Sequence, residues 1–232
     1  MQSTKENEIP LLKEMTQKQL SRRKFMGYAG IIGASAAAIA VASCGKDDDN
    51  NNDGVDLGSG DFGILNYAYA LEQLEAAFYI QVVTTPYSGI SAGEMMYITD
   101  IRDHEIAHRE FFKAALGSNA IPTLEVNFTS INFASRDSVL GTAKVFEDLG
   151  VTAYNGAGYL IKDANYLLLA GKIVSVEARH AALIRELIAG NTFLGDQVDA
   201  YSVNFSRPPA EVLTIAGPYI KTKINASNLP TS

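Results

Sequence analysis

Two of the three histidines in this chain stand three residues after a glutamate, in Glu105-Ile106-Ala107-His108 and Glu177-Ala178-Arg179-His180. On a helix that spacing puts both side chains on one face, about one turn apart. Each pair can then offer a carboxylate oxygen and an imidazole nitrogen to one point. A lone Glu-x-x-His means little, because glutamate is common on helices; two such pairs among three histidines form a pattern. An internal repeat surrounds them. Leu71-Glu72-Gln73-Leu74 and Phe146-Glu147-Asp148-Leu149 each place a tyrosine seven residues after the glutamate, Tyr79 and Tyr154. Each of these glutamates also precedes its Glu-x-x-His by a similar interval, Glu72 before Glu105 and Glu147 before Glu177. Four unpaired carboxylates in a protein core would be very unfavourable and would have to protonate. Two divalent cations would cancel their charge of −4.

The elements that must position these residues are four helices. The first is predicted from about Asp61, read as its N-cap, to Val83, with Leu65, Ala68, Glu72, Glu75 and Tyr79 on one stripe. The second runs from Ser91, which has capping-box spacing to Glu94, to Leu116, with the stripe Ile98, Ile101, Glu105, His108, Phe112. The third runs from near Ser135 to near Gly156, and the fourth from Asp163 to Ala189, carrying Ile173, Glu177, His180, Ile184 and Leu187. The connections inside each half are short. The link between helices two and three is long and shows no helical period. The expectation is an all-α fold: two antiparallel hairpins joined by one long crossover, with one glutamate from each of two helices and Glu-x-x-His from the other two. A short last helix is expected to open at Pro208-Pro209-Ala210-Glu211.

The runs Leu71-Glu72-Gln73-Leu74-Glu75-Ala76-Ala77-Phe78-Tyr79, Glu105-Ile106-Ala107-His108, Phe146-Glu147-Asp148-Leu149-Gly150-Val151-Thr152-Ala153-Tyr154 and Val176-Glu177-Ala178-Arg179-His180 resemble the ferritin-like superfamily, and within it the ferritin-like domain proteins that include the desiccation-related group. The resemblance implies a ferritin-like four-helix bundle over about 61–190 and two divalent metal ions, Fe or Mn, since carboxylate and imidazole suit both. Glu105 and Glu177 would bridge them, His108 and His180 would bind one each, and Glu72 and Glu147 would be terminal ligands. Tyr79 and Tyr154 would hydrogen-bond the carboxylates; the plainer reading makes them amphipathic core residues. Glu75 shares the stripe and is the alternative to Glu72. Its repeat partner is Gly150, which cannot ligate, and this favours Glu72. His104 lies off the inward stripe and reads as a rim histidine. Arg109, Glu110, Arg185 and Glu186 read as solvated helix faces, and Asn155-Gly156-Ala157-Gly158 as a turn.

At 232 residues and 47% hydrophobic, the chain can bury one sizeable core. Six of its 19 basic residues and three of its 26 acidic ones fall in the first 43, which leaves the rest near −10. An acidic body argues against nucleic acid. Residues 1–43 read as an export signal. Ser21-Arg22-Arg23-Lys24-Phe25-Met26 resembles a twin-arginine signature. A mild apolar run then ends in Val41-Ala42-Ser43-Cys44, which resembles a lipobox; the alternative is a plain transmembrane anchor. Residues 44–60 read as an acidic flexible tether, 61–190 as the bundle and 191–232 as a C-terminal extension packed on it.

These readings combine into an expectation. The protein would be lipid-anchored through Cys44 in the cell envelope, outside the cytoplasm, on the outer membrane and facing either the periplasm or the cell surface. Its two metals would react with oxygen or peroxide as a ferroxidase-, peroxidase- or catalase-like oxidoreductase. The alternative is a non-catalytic stress or desiccation-related protein whose metal site is structural or idle. The sequence leaves the oligomeric state open.

Overall fold

The structure, a computed structural model, describes residues 54–231. The expectations for residues 1–43 and for Cys44 lie outside the described residues. Four long helices dominate: α1 (Gly60–Thr84), α2 (Ala92–Leu116), α3 (Arg136–Gly158) and α4 (Ala164–Ile188). A short α5 (Pro209–Ala216) and a two-residue parallel pair, β1 (Val55–Asp56) with β2 (Ile224–Asn225), accompany them. The fold is the all-α helical bundle that the spacing predicts.

The helix starts follow from side chains that satisfy free backbone N–H groups. Ser91 accepts the Glu94 N–H while the Glu94 carboxylate accepts the Ser91 N–H, a complete capping box. Ser135 caps α3 and Asp163 caps α4. Asp61, the expected cap of α1, does not take that role; Ser59 occupies the N-cap position. The Asp61 carboxylate instead accepts the backbone N–H groups of Lys162 and Asp163, so it ties the start of α1 to the start of α4. At the other end Arg136 bonds both Glu94 and the Leu187 carbonyl, joining the starts of α2 and α3 to the end of α4. Hence α1 runs parallel to α4 and α2 parallel to α3, and the crossover must travel the length of the bundle.

Two buried amides on α1 hold that crossover. Asn66 donates to the Leu57 and Asn119 carbonyls and accepts from Ile121 N–H. Gln73 accepts from Leu124 N–H. An aromatic cluster of Phe78, Phe128, Phe133, Phe146 and Tyr219 binds crossover and tail to α1 and α3. Being covered from outside as well, α1 is buried almost all round, wider than its five-residue stripe.

Three further readings are corrected. Asn155-Gly156-Ala157-Gly158 is the last turn of α3 and not a loop. Gly156 is there for space: a Cβ would collide with the Arg207 carbonyl oxygen, where the tail crosses. Val55–Asp56, assigned to the tether, pair with β2, and Leu57 is fully buried. Their partner strand comes from near the opposite end of the sequence, beyond the reach of local composition. Arg185 is buried and paired with Asp148 and Asp196, while Glu186 accepts the N–H groups of Asn191 and Thr192. Both side chains meet the loop after α4, so neither is a merely solvated face.

Candidate metal centre

The four helices bring Glu72, Glu105, His108, Glu147, Glu177 and His180 to one place in the core. Their ligand atoms form two groups, each within 4.8 Å: Glu72, Glu105, His108 and Glu177 in one, Glu105, Glu147, Glu177 and His180 in the other. Glu105 and Glu177 belong to both. All four glutamates are fully buried, His180 nearly so, and the His108 side chain is 13% exposed. His108 is therefore where the cluster meets the outside.

Each histidine lies nearest the glutamate of the opposite hairpin. His108 Nδ1 is 2.8 Å from Glu177 Oε1, 3.4 Å from Glu72 Oε2 and 3.8 Å from Glu105 Oε2. His180 Nδ1 is 2.8 Å from Glu105 Oε1, 3.5 Å from Glu147 Oε2 and 3.6 Å from Glu177 Oε2. The shortest of these are hydrogen-bond distances without hydrogen-bond directions. Both Nδ1 atoms, Glu72 Oε2, Glu147 Oε2 and all four oxygens of Glu105 and Glu177 are buried with no partner along a bonding axis. Native structures leave only a few such atoms per hundred residues, and seldom together. Here eight converge, with hard oxygen and imidazole nitrogen mixed in each group. That donor set fits a divalent cation in each half.

The two tyrosines explain how the outer carboxylates are aimed. Tyr79 donates to Glu147 Oε1 at 2.5 Å, and Tyr154 donates to Glu72 Oε1. In both cases one oxygen is held by the phenol and the other, Oε2, faces the histidine. Burial and the neighbouring carboxylate push both phenols well above their usual range, so they remain donors.

The fifth acid, Glu75, is absent from both groups. Its carboxyl lies against Gly150, with Oε1 3.2 Å from where a Cβ would be; Glu177 Oε2 is 3.8 Å from the same point. The repeat partner that cannot ligate is thus what makes room for Glu75. Burial first, and then the charges of Glu105, Glu177, Glu147 and Glu72, push the Glu75 carboxyl well up.

His104 is the residue that sequence reasoning missed. Its Nδ1 lies 2.9 Å from His180 Nε2, with the two rings only 9° from parallel. With Nε2 engaged there, His180 keeps Nδ1 for the cluster. The signal was present: His104 is three residues after Ile101 and four before His108, at the edge of the inward stripe that faces α4.

With no metal, the charges partly cancel against protons. Burial opposes charge on His108 and His180, but Glu72 and Glu147, with Glu105 and Glu177, outweigh it and hold both imidazoles well above their usual range. Burial and Glu177 raise Glu105 to about 8. Burial acts the same way on Glu177, yet the two histidines overcome it and draw that carboxyl down to about 2.

A family model described as a ferritin-like domain matches residues 60–190, more than half of the chain. No curated protein matches it.

Proposed function

The chain belongs to the ferritin-like domain family, and from this footing we propose that it is a di-metal protein of the cell envelope, an oxidoreductase whose two Fe or Mn ions react with oxygen or peroxide. The carrying observation is the convergence of eight unpartnered donor atoms around two bridging glutamates, Glu105 and Glu177. His108 and Glu72 would hold one ion, His180 and Glu147 the other. Once bound, the ions would supply Lewis acidity and electrons. The chain's own residues neutralise the charge, fix the spacing, and keep bulk water out by burial of every carboxylate. Tyr79 and Tyr154 keep the outer carboxylates in register.

The location rests on the leader. The paired Arg22 and Arg23, the apolar run and Cys44 fall in the order of a twin-arginine lipoprotein signal. Export of an already folded chain suits a centre that must be loaded with the correct metal. Cys44→Ala would move the protein from the membrane to the soluble envelope fraction, and Arg22→Lys with Arg23→Lys would keep it in the cytoplasm.

The test of the centre is metal analysis of the exported protein together with its absorbance after Fe(II) addition in air. About two metals per chain and an oxygen-dependent band are expected, both lost in Glu177→Ala. One observation favours the alternative of an idle site in a stress or desiccation-related protein: the imidazole–carboxylate contacts already cancel much of the charge without metal. Metal binding with no turnover of oxygen or peroxide would decide for that reading.

A further inference from the structure

At the end of the bundle where α1 and α4 begin and α3 stops, four large apolar side chains stand in solvent. Phe62, Tyr159, Leu167 and Leu168 are between 39% and 67% exposed. They adjoin one another. The Phe62 ring centre lies 6.4 Å from that of Tyr166, the residue before Leu167. Leu167 Cδ1 lies 3.7 Å from where a Cβ on Gly158 would be, beside Tyr159. Scattered apolar residues on a surface need no explanation, but adjoining ones mark a place where a partner sits.

The exposed charges around them are cationic. Lys162, just before α4, and Lys172, on it, are exposed, and the helix carries no acid from Ala164 to Val176. The two acids at this end, Asp61 and Asp163, have their carboxylates turned to backbone N–H groups. In an otherwise acidic body, leucines and aromatics flanked by lysine fit a lipid surface. No described helix is long and apolar enough to cross a membrane, so the contact is with the surface of the bilayer. The other exposed apolar group, Phe193, Leu194, Tyr201 and Val203, shares its loop with Asp196 and Asp199, which anionic headgroups repel.

The reach of the chain points the same way. Gly54 stands ten residues after Cys44, a span of about 35 Å at most. From Gly54, β1 leads into the start of α1, and Asn66 of α1 holds the Leu57 carbonyl. A lipid on Cys44 therefore keeps this end of the bundle near the bilayer. A contact too weak to hold a free protein becomes intramolecular at such a distance.

We propose that this end of the bundle is a membrane-docking face. Phe62, Tyr159, Leu167 and Leu168 enter the headgroup layer, and Lys162 and Lys172 meet anionic headgroups. The proposal rests on the lipid-anchor reading of Cys44 and adds an orientation to it.

The test uses the full chain, exported by its own leader and reconstituted into vesicles of phosphatidylethanolamine and phosphatidylglycerol. Mass spectrometry reads whether Cys44 carries lipid. With Cys44 acylated, an introduced cysteine is the one free thiol and takes a fluorescent label. The label at Ala164→Cys, in the exposed first turn of α4, is expected to be quenched by nitroxide lipids several-fold more than at Met96→Cys, exposed near the start of α2 at the other end, or at Tyr201→Cys. Leu167→Ser with Leu168→Ser, checked for folding by circular dichroism, is expected to remove that excess while the protein stays lipidated and vesicle-bound. A label at 164 quenched no more than at 96 overturns the proposal, as does quenching greatest at 201 or an excess that survives the double substitution. A Cys44 without lipid overturns the anchor and the docking face with it, whereas a lipidated chain whose label at 164 stays in water overturns the docking face alone.

Discussion

Among single residues, the centre is a pseudo-symmetric object with two exceptions. The tyrosines exchange partners across the hairpins, Tyr79 with Glu147 and Tyr154 with Glu72. Glu75 opposite Gly150 breaks that symmetry, and so does His104, whose repeat counterpart is Val176. His104 would make the two proposed metal positions unequal, because its Nδ1 faces His180 Nε2, whereas the ion-pair contacts of the other imidazole, His108, all run through Nδ1. Groups that orient a metal-bound histidine typically matter by about 10–100-fold in affinity. His104→Phe should therefore weaken one of two metals by roughly tenfold and leave the other unchanged. Stepwise titration followed by calorimetry reads this directly. His104→Gln, whose amide oxygen can accept the Nε2–H, should recover most of the loss. An equal loss at both positions would mean that His104 acts through the fold and not through His180. The repeat made Glu72, Glu147 and both Glu-x-x-His pairs readable from spacing. His104 was readable as a residue at the edge of the inward stripe, but its partner was not, because His180 sits on α4, in the other hairpin.

Among the elements, the bundle is shaped by what crosses it. Asn66 and Gln73 turn the outer side of α1 into a backbone-binding strip for the crossover. The tail does the same on α3, where Arg207 N–H donates to the Thr152 carbonyl and its guanidinium reaches the Thr152 hydroxyl. Gly156 is the position that permits this approach. In an open helix, glycine to alanine would gain about 0.5–1 kcal/mol. Here the new Cβ would meet backbone, which cannot swing away as a side-chain end can. Gly156→Ala should instead cost roughly 1–3 kcal/mol, seen as a lower urea midpoint with an unchanged slope. The misread turn at 155–158 faces the tail, and the misread Arg185 faces Asp148 of α3 and Asp196 of the loop after α4; helical periodicity carries no information about a partner on another segment.

For the molecule as a whole, the centre couples folding to pH. The folded metal-free chain holds protons on Glu75, Glu105, Glu147, His108 and His180 at pH values where the unfolded chain has released them. The favourable contribution of the histidines is complete below their ordinary value and fades as pH rises through the raised one. The penalty from Glu105 starts above its ordinary range and is complete by about 8. Both effects have one sign: the native state binds more protons, so stability falls as pH rises. Glu177 acts oppositely, but its effect is lost only near pH 2, outside this window. A metal bound there would displace these protons, so its affinity would rise with pH. Melting the metal-free protein at about pH 5.5, 7 and 8.5 should show a falling Tm, and the stabilisation on adding metal should grow across the same series. A metal-free Tm that rises with pH would contradict the protonation pattern.

That four helices form, where they begin to within a residue or two, and that Glu72, Glu105, His108, Glu147, Glu177 and His180 face inward are written along the chain. Local capping chemistry at Ser91, Ser135 and Asp163 and the 3.6-residue period of the stripes suffice for them. Folding in three dimensions settled the remainder. It placed Glu75 against Gly150 and outside the cluster, brought His104 to His180, buried Arg185, and recruited Leu57 and β1 to the body of the protein. Each of these depends on a partner from a distant segment, and contact between distant segments is fixed only when the whole bundle closes.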